Sequence, residues 1–305
     1  MPLYDVIIIG GGGAGLTAAI YTSRAKLSTL LIEKLAPGGQ IALTDVVENY
    51  PGFPEGITGP EISQRMEEQA KRYGTAIQYQ EVQSVAKKNG IFEIRGMQEN
   101  FQAKSIILAA GASFRMLGVP GEKELTGRGV SYCATCDGAF FKEKEIVVVG
   151  GGDSALQEGL FLTRFASKLT VIHRRDKLRA SPILQERAKN NPKINFLWDT
   201  VVQKIHGAKK VEGLSLENVK NKETRNFPVD GVFVFIGHDP NTAFLKGFVE
   251  LDEKGYVKAS SDLKTSVPGV FAAGEIRAGA TKQLVSACGE GCEAALAAQE
   301  YVEHS

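Results

Sequence analysis

Val6-Ile7-Ile8-Ile9 runs directly into Gly10-Gly11-Gly12-Gly13-Ala14-Gly15. The four β-branched, apolar residues read as a buried strand of a parallel sheet. Gly10, Gly12 and Gly15 satisfy G-x-G-x-x-G, and Leu16 to Arg24 read as the helix that follows. In this device the first glycine makes a tight turn and the second admits a pyrophosphate to the backbone. The third lets helix and strand pack closely, and the helix N-terminus holds the negative charge. Thr29 to Ile32 form the next strand, and Glu33 ends it. An acid at that place accepts hydrogen bonds from a ribose 2′-hydroxyl and repels a 2′-phosphate. The unit therefore predicts a nucleotide without that phosphate, FAD or NAD.

The pattern returns further along the chain. Glu145 to Val149 read as a strand, Gly150-Gly151-Gly152-Asp153-Ser154-Ala155 gives the G-x-G-x-x-A variant, and Leu156 to Phe165 reads as its helix. The next strand, Leu169 to Ile172, ends in His173-Arg174-Arg175-Asp176, with Arg179 close behind. A basic cluster stands where the first unit has an acid. Arginine presents paired, coplanar donors that match a phosphate, so this unit predicts NADPH, and opposite charges at one discriminating position assign FAD to the first unit. A basic cluster alone also reads as a solvated turn; its place at the end of this strand after a glycine loop favours the phosphate.

Between the units lies Gly129-Val130-Ser131-Tyr132-Cys133-Ala134-Thr135-Cys136-Asp137-Gly138. C-x-x-C permits a local disulfide or half of a zinc site. Zinc would need Cys288 and Cys292, spaced i, i+4 on an expected helix beside Gly289 and Gly291. That spacing reads instead as small apolar core residues, so no metal is expected. Thiol–disulfide exchange needs a thiolate and a protonated leaving group. Asp137 can supply or accept that proton, or can form an Asx turn before Gly138.

Composition narrows the class. A chain of 305 residues fits about two domains, and 43% hydrophobic with 23% charged residues is ordinary globular composition. A net charge of +1 gives no electrostatic case for nucleic acid or an anionic membrane as partner. No stretch approaches the roughly 20 apolar residues of a spanning helix. Four cysteines are too few for a disulfide-stapled secreted scaffold, so a reducing cytoplasm is the expected compartment.

With these motifs in place the chain resembles the low-molecular-weight thioredoxin reductases of bacteria and archaea, nearly end to end. Cys133-Ala134-Thr135-Cys136-Asp137 matches that family's redox centre. Gly150 to Ala155 with His173, Arg174, Arg175 and Arg179 resembles its NADPH elements. The first glycine loop with Gly38-Gly39-Gln40, the loop Val47 to Gly52 containing Asn49, and Val267 to Gly274 resemble its FAD elements. The resemblance implies two Rossmann-like three-layer α/β domains, the NADPH domain inserted in a discontinuous FAD domain. Residues 1–115 and 241–305 would form the FAD domain and 116–240 the NADPH domain with the thiol pair. Gly118-Val119-Pro120-Gly121 and Gly237-His238-Asp239-Pro240-Asn241 read as the linkers, and Phe92 to Arg95 with Lys104 to Ala109 as a small added β-meander.

The resemblance also implies a mechanism. Hydride passes from NADPH to flavin, and electrons then pass to a Cys133–Cys136 disulfide. Cys136 would be the flavin-proximal sulfur, and Cys133 would attack the disulfide of a thioredoxin-like protein, with Asp137 as proton donor. Rotation of one domain against the other would expose the pair in turn, and the protein would be a homodimer. Two positions depart from the family's usual residues. Glu275 stands where Asp commonly touches the flavin's ribityl chain, and Lys282, before Gln283, stands where Arg is common. Ferredoxin-dependent relatives typically lack the basic cluster. A related disulfide reductase with another protein acceptor, and a non-catalytic thiol sensor, are the alternatives; a sensor would need an output segment beyond the two units.

Overall fold

The computed structural model describes every residue except Thr44, Asp45 and Ser305, and every remaining side chain except those of Leu43, Thr135 and Cys136. The chain divides into two compact units, Met1–Ser113 with Asp239–Ser305, and Phe114–His238. It passes between them along Ala112–Phe114 and His238–Pro240, which pair as a two-stranded sheet.

In the first unit Ala76–Tyr79, Thr29–Glu33, Leu3–Ile9 and Asn100–Leu108 lie side by side as parallel strands, and Val270–Ala272 joins the last of them, also parallel. Alternate residues of Leu3–Ile9 feed opposite faces. Ile7 and Ile9 join one core cluster, Val6 and Ile8 the other. On the second face pack the helices Gly13–Arg24 and Leu284–Glu303. Their contact is lined by Ala14, Ala18, Ala294, Ala295 and Ala298, and a Cβ on Gly291 would lie 2.2 Å from the Ala14 carbonyl oxygen. Small residues on both helices are what allow so close an approach.

The meander expected from Phe92 to Ala109 is continuous with this parallel sheet rather than an appendage to it. Asn100–Leu108 alternates buried and less buried residues at its start and is wholly buried at its end. The alternating half pairs antiparallel with Ile91–Gly96, and the buried half lies between Leu3–Ile9 and Val270–Ala272. That is the sequence difference between a half-solvated antiparallel strand and a covered parallel one.

In the second unit Ile194–Leu197, Lys168–Ile172, Glu145–Gly150, Gly231–Phe235 and Val130–Ser131 form a five-stranded parallel sheet. Ile146 and Val148 face the helices Asp153–Leu162 and Pro182–Asn190. Val147 and Val149 face a three-stranded antiparallel sheet of Thr200–His206, Gly213–Asn218 and Thr224–Pro228. Each unit is thus a layered α/β body of Rossmann type, with its own core on both faces of a parallel sheet.

Candidate functional site

The first glycine loop ends the strand Leu3–Ile9, where Gly10 N–H donates to the Ile32 carbonyl at 2.8 Å. Gly10 is left-handed (φ 108°), and a Cβ there would sit 2.3 Å from the Ala109 carbonyl oxygen. A Cβ on Gly15 would lie 1.8 Å from the Gly10 carbonyl oxygen. Both glycines are demanded by the fold. Gly12 is not: its φ of −74° suits any residue, and nothing lies within 4 Å of where a Cβ would be. It is the N-cap of Gly13–Arg24, without a side-chain cap or an acid in the first turn. The helix therefore starts three residues before the expected Leu16, with the glycines inside it. An uncapped N-terminus beside an open cradle fits an anionic pyrophosphate.

Glu33 lies against this loop. Its Oε2 accepts from Gly11 N–H at 2.7 Å and its Oε1 from Leu35 N–H at 3.0 Å. Gly38 N–H donates to the Gly11 carbonyl at 2.7 Å, and Gly39 crosses beside Gly12. Gly10, Gly12, Gly15, Glu33, Gly38 and Gly39 thus cluster at the end of the strand Leu3–Ile9, with Gly10, Gly15 and Gly38 buried and Gly12, Glu33 and Gly39 at the opening. Gln40 is tied to the Ala112 carbonyl at 2.6 Å. Asn49 Nδ2 donates to Gln283 Oε1 at 2.9 Å, next to the N-terminus of Leu284–Glu303. Glu275 Oε2 is buried with no hydrogen-bond partner. Burial raises its carboxyl above the ordinary range, partly offset by the Lys282 charge. A buried acceptor without a donor is costly, and a ligand hydroxyl would satisfy it. Lys282 itself sits 5.7 Å over the Tyr256 ring. The residues of this unit fit a flavin dinucleotide.

The second loop repeats the logic. Gly152 has φ −100° and nothing within 4 Å of a Cβ, and it precedes Asp153–Leu162 with no side-chain cap. Asp153 is an acid in the first turn, an unfavourable place for a bound anion, but its Oδ1 accepts from Ser181 N–H at 2.5 Å. Arg179 and Ala180 N–H both donate to the Gly151 carbonyl, at 2.7 and 3.2 Å. These bonds fold the basic loop back onto the glycine loop. Arg174, Arg175 and Arg179 are exposed, and none has a carboxylate partner among the described residues. Ser154 is exposed beside them and Ala155 is buried.

His173 is placed differently from the arginines. It is 6% exposed, packs its ring where a Gly151 Cβ would be, and bonds through Nε2 to the Lys177 carbonyl at 3.0 Å. Burial, reinforced by the three arginine charges, lowers its pKa. A neutral imidazole here braces the loop and adds no charge for a phosphate.

Cys133 follows the strand Val130–Ser131 and is disulfide-bonded. The side chain of Cys136 lies outside the described ones, and Cys288 and Cys292 are free thiols. Ser131 Oγ bridges Cys133 N–H and carbonyl, each at 3.1 Å. Asp137 N–H donates to the Cys133 carbonyl at 3.3 Å, closing the turn Ala134–Asp137. That turn packs against the nucleotide-loop helix Asp153–Leu162. Beside it a cavity of about 270 Å³ is lined by Asp137, Asp230, Phe140, Arg128, Lys144 and Lys210, with Lys144 3.9 Å from Asp230. Phe140 is 79% exposed. The sequence reading missed this rim of mixed charge, because its members are scattered along the chain. It also missed Glu290, which accepts from Gly274 N–H at 2.7 Å and pairs bidentately with Arg277, fixing the returning loop next to Glu275.

No group of acids, histidines and cysteines among the described residues could hold a metal ion. No helix among them is long and apolar enough to cross a membrane.

Two glycine cradles and a disulfide turn define a dinucleotide-dependent disulfide oxidoreductase. The chain belongs to the pyridine nucleotide-disulphide oxidoreductase family, whose pattern matches residues 4–291. It is 52% identical to a thioredoxin reductase of Bacillus subtilis over 302 residues, 99% of this chain and 95% of that protein. It is 49% identical to a thioredoxin reductase of Listeria monocytogenes over 305 residues, 99% and 94% of the two. The crystal structure of Lactococcus lactis thioredoxin reductase superposes with a TM-score of 0.97 at 44% identity, covering 99% of this chain and 100% of that one. Membership of the family implies an enzyme that uses a flavin and a pyridine nucleotide.

Proposed function

We propose that this enzyme is a thioredoxin-disulfide reductase that carries electrons from NADPH, through FAD, to a Cys133–Cys136 disulfide and on to a thioredoxin-like protein. The observation that carries the reading is the oxidised Cys133 in a chain with two open glycine cradles, one faced by Glu33 and the other by free arginines. The Bacillus and Listeria relatives above carry the name thioredoxin reductase, and this chain matches 95% and 94% of their lengths.

Gly10, Gly12, Gly15, Gly38 and Gly39 would hold the FAD pyrophosphate and Glu33 the adenosine ribose. Asn49, Glu275, Lys282 and Gln283 would surround the flavin end. Gly150, Gly152, Asp153, Ser154 and Ala155 would form the NADPH loop, with Arg174, Arg175 and Arg179 on the 2′-phosphate. When bound, the flavin supplies a relay that takes hydride from a nicotinamide and passes two electrons to a disulfide. Cys136 would be the flavin-side sulfur. Cys133, as thiolate, attacks the acceptor's disulfide, and Asp137, one helical turn away, gives and takes the proton. Phe140 and the charged rim of the adjoining cavity offer an apolar surface bordered by side chains of both signs to that acceptor.

Exposed apolar side chains on the two packed helices of the first unit, Tyr21 at 38%, Val285 at 47% and Leu296 at 53%, support a homodimer through that face. The free thiols of Cys288 and Cys292 suit a reducing cytoplasm.

The test is anaerobic addition of NADPH to the flavin-loaded enzyme, followed by oxidised thioredoxin from the same organism. Bleaching of the flavin and stoichiometric thioredoxin thiols are expected. A flavin that bleaches while thioredoxin stays oxidised would assign a different acceptor.

A further inference from the structure

Glu122 is only 1% exposed, yet its carboxylate accepts three hydrogen bonds. Leu117 N–H at 2.8 Å and the Tyr132 hydroxyl at 2.7 Å donate to Oε1, and Gly118 N–H at 2.7 Å donates to Oε2. The turn carrying it is closely packed. Gly121 before it is left-handed (φ 88°), and a Cβ there would lie 2.1 Å from the Ile205 carbonyl oxygen. Thr126 Oγ1 donates to the Glu122 carbonyl at 2.8 Å.

Tyr132 is the residue immediately before Cys133. Its ring stacks on Phe114 at 6.4 Å and 23°, Phe114 in turn lies 5.3 Å from the His238 ring, and burial with the Glu122 bond holds the phenol protonated. One carboxylate thus ties the segment Leu117–Gly118 to the end of the strand that delivers Cys133. A buried charge of this kind is weak evidence for stability, since apolar residues of the same shape do as well. What it fixes is geometry. Their hydrogen-bond and ring partners among the described residues lie at Leu117, Gly118, Thr126 and Phe114, none of them in a glycine loop, so nucleotide binding does not account for the pair.

We propose that Glu122 and Tyr132 are positioning residues for the Cys133 disulfide, their hydrogen bond holding the backbone that enters Cys133 in the geometry of the oxidised form. The inference rests on the reading that this disulfide cycles in turnover. Reduction breaks the S–S bond, takes up two electrons and two protons, and releases the chain from that geometry. Contacts specific to the oxidised form therefore oppose reduction, and losing them favours the dithiol.

The test equilibrates the full-length, flavin-loaded protein with glutathione buffers. Two glutathione thiols supply the electrons and protons and leave as one glutathione disulfide. The Cys133 peptide is then alkylated and weighed. Tyr132→Phe should move the equilibrium about tenfold toward the dithiol, the scale of one hydrogen bond to a buried charge. Its rate of flavin reduction by NADPH should match the wild type. Glu122→Gln, which keeps the acceptor oxygen and removes the charge, should move it less and in the same direction. A wild-type equilibrium in Tyr132→Phe overturns the inference, as does a shift matched by an equal loss of flavin reduction, which would mark a general structural role. If Glu122→Gln does not fold, Tyr132→Phe decides alone. A wild-type protein whose Cys133 stays oxidised under NADPH would defeat the functional reading, and this inference with it; a cycling wild type with indifferent variants would defeat the inference only.

Discussion

Arg174 and Arg175 are exposed and have no carboxylate partner among the described residues, as a site for a 2′-phosphate needs. A hydrogen bond to a charged group contributes about 1.5–3 kcal/mol. Replacing both by alanine should weaken NADPH by about 100-fold or more, while NADH changes by about twofold or less. Michaelis constants for the two nucleotides check this; an unchanged ratio would mean the phosphate lies elsewhere. Glu275 makes a second claim, about pH. Its unfolded value is the ordinary 4.5, and burial raises the folded one. Below the unfolded value both states are protonated and burial exacts no charge penalty. As pH rises through the folded value, the native state must hold a proton or bury a charge, and stability falls. In flavin-free protein, Glu275→Gln should therefore raise the melting temperature at about pH 8 and leave it unchanged at about pH 4. Melting curves across that range decide it, and equal gains at both ends would refute the cause.

At the scale of elements, glycines that look alike in the sequence separate into two kinds. Gly291 is packed against Ala14, so Gly291→Ala should push Leu284–Glu303 off Gly13–Arg24 at about 1–3 kcal/mol, the usual range for overpacking. Gly12 has open space and an ordinary backbone conformation. Gly12→Ala should cost at most about 1 kcal/mol of stability through the helix N-cap, yet the purified protein should lose most of its flavin. Denaturant unfolding and the flavin absorbance of the same preparations test the pair. A yellow Gly12→Ala protein would show that the cradle is not where the pyrophosphate lies.

For the whole molecule, the cores decide what can stand alone. The clusters around Val148 and Val147 belong wholly to Phe114–His238, a contiguous segment with helices on one sheet face and an antiparallel sheet on the other. A domain with a closed core of its own can fold alone. Expressed by itself, the segment should unfold in one cooperative transition and bind NADPH without flavin. Calorimetry and nucleotide titration would show this, and a non-cooperative melt would show that it depends on the remainder of the chain.

Both glycine loops, the acid after one, the basic cluster after the other and the C-x-x-C turn were legible in the sequence. They are local: each needs residues a fixed few positions apart, so spacing alone exposes the chemistry. The strand pieces Phe92 to Arg95 and Lys104 to Ala109 were visible too, but that the two halves of Asn100–Leu108 serve different neighbours depends on partners far along the chain. The same holds for His173, which reads as part of a cationic cluster and is turned inward, uncharged, under Gly151. It holds again for Glu122, whose partners are two backbone amides and a tyrosine ten residues on. Sequence fixes which groups a segment carries. Only packing decides which of them lose water, because burial and hydrogen-bond partners are set by chain segments that no spacing rule connects.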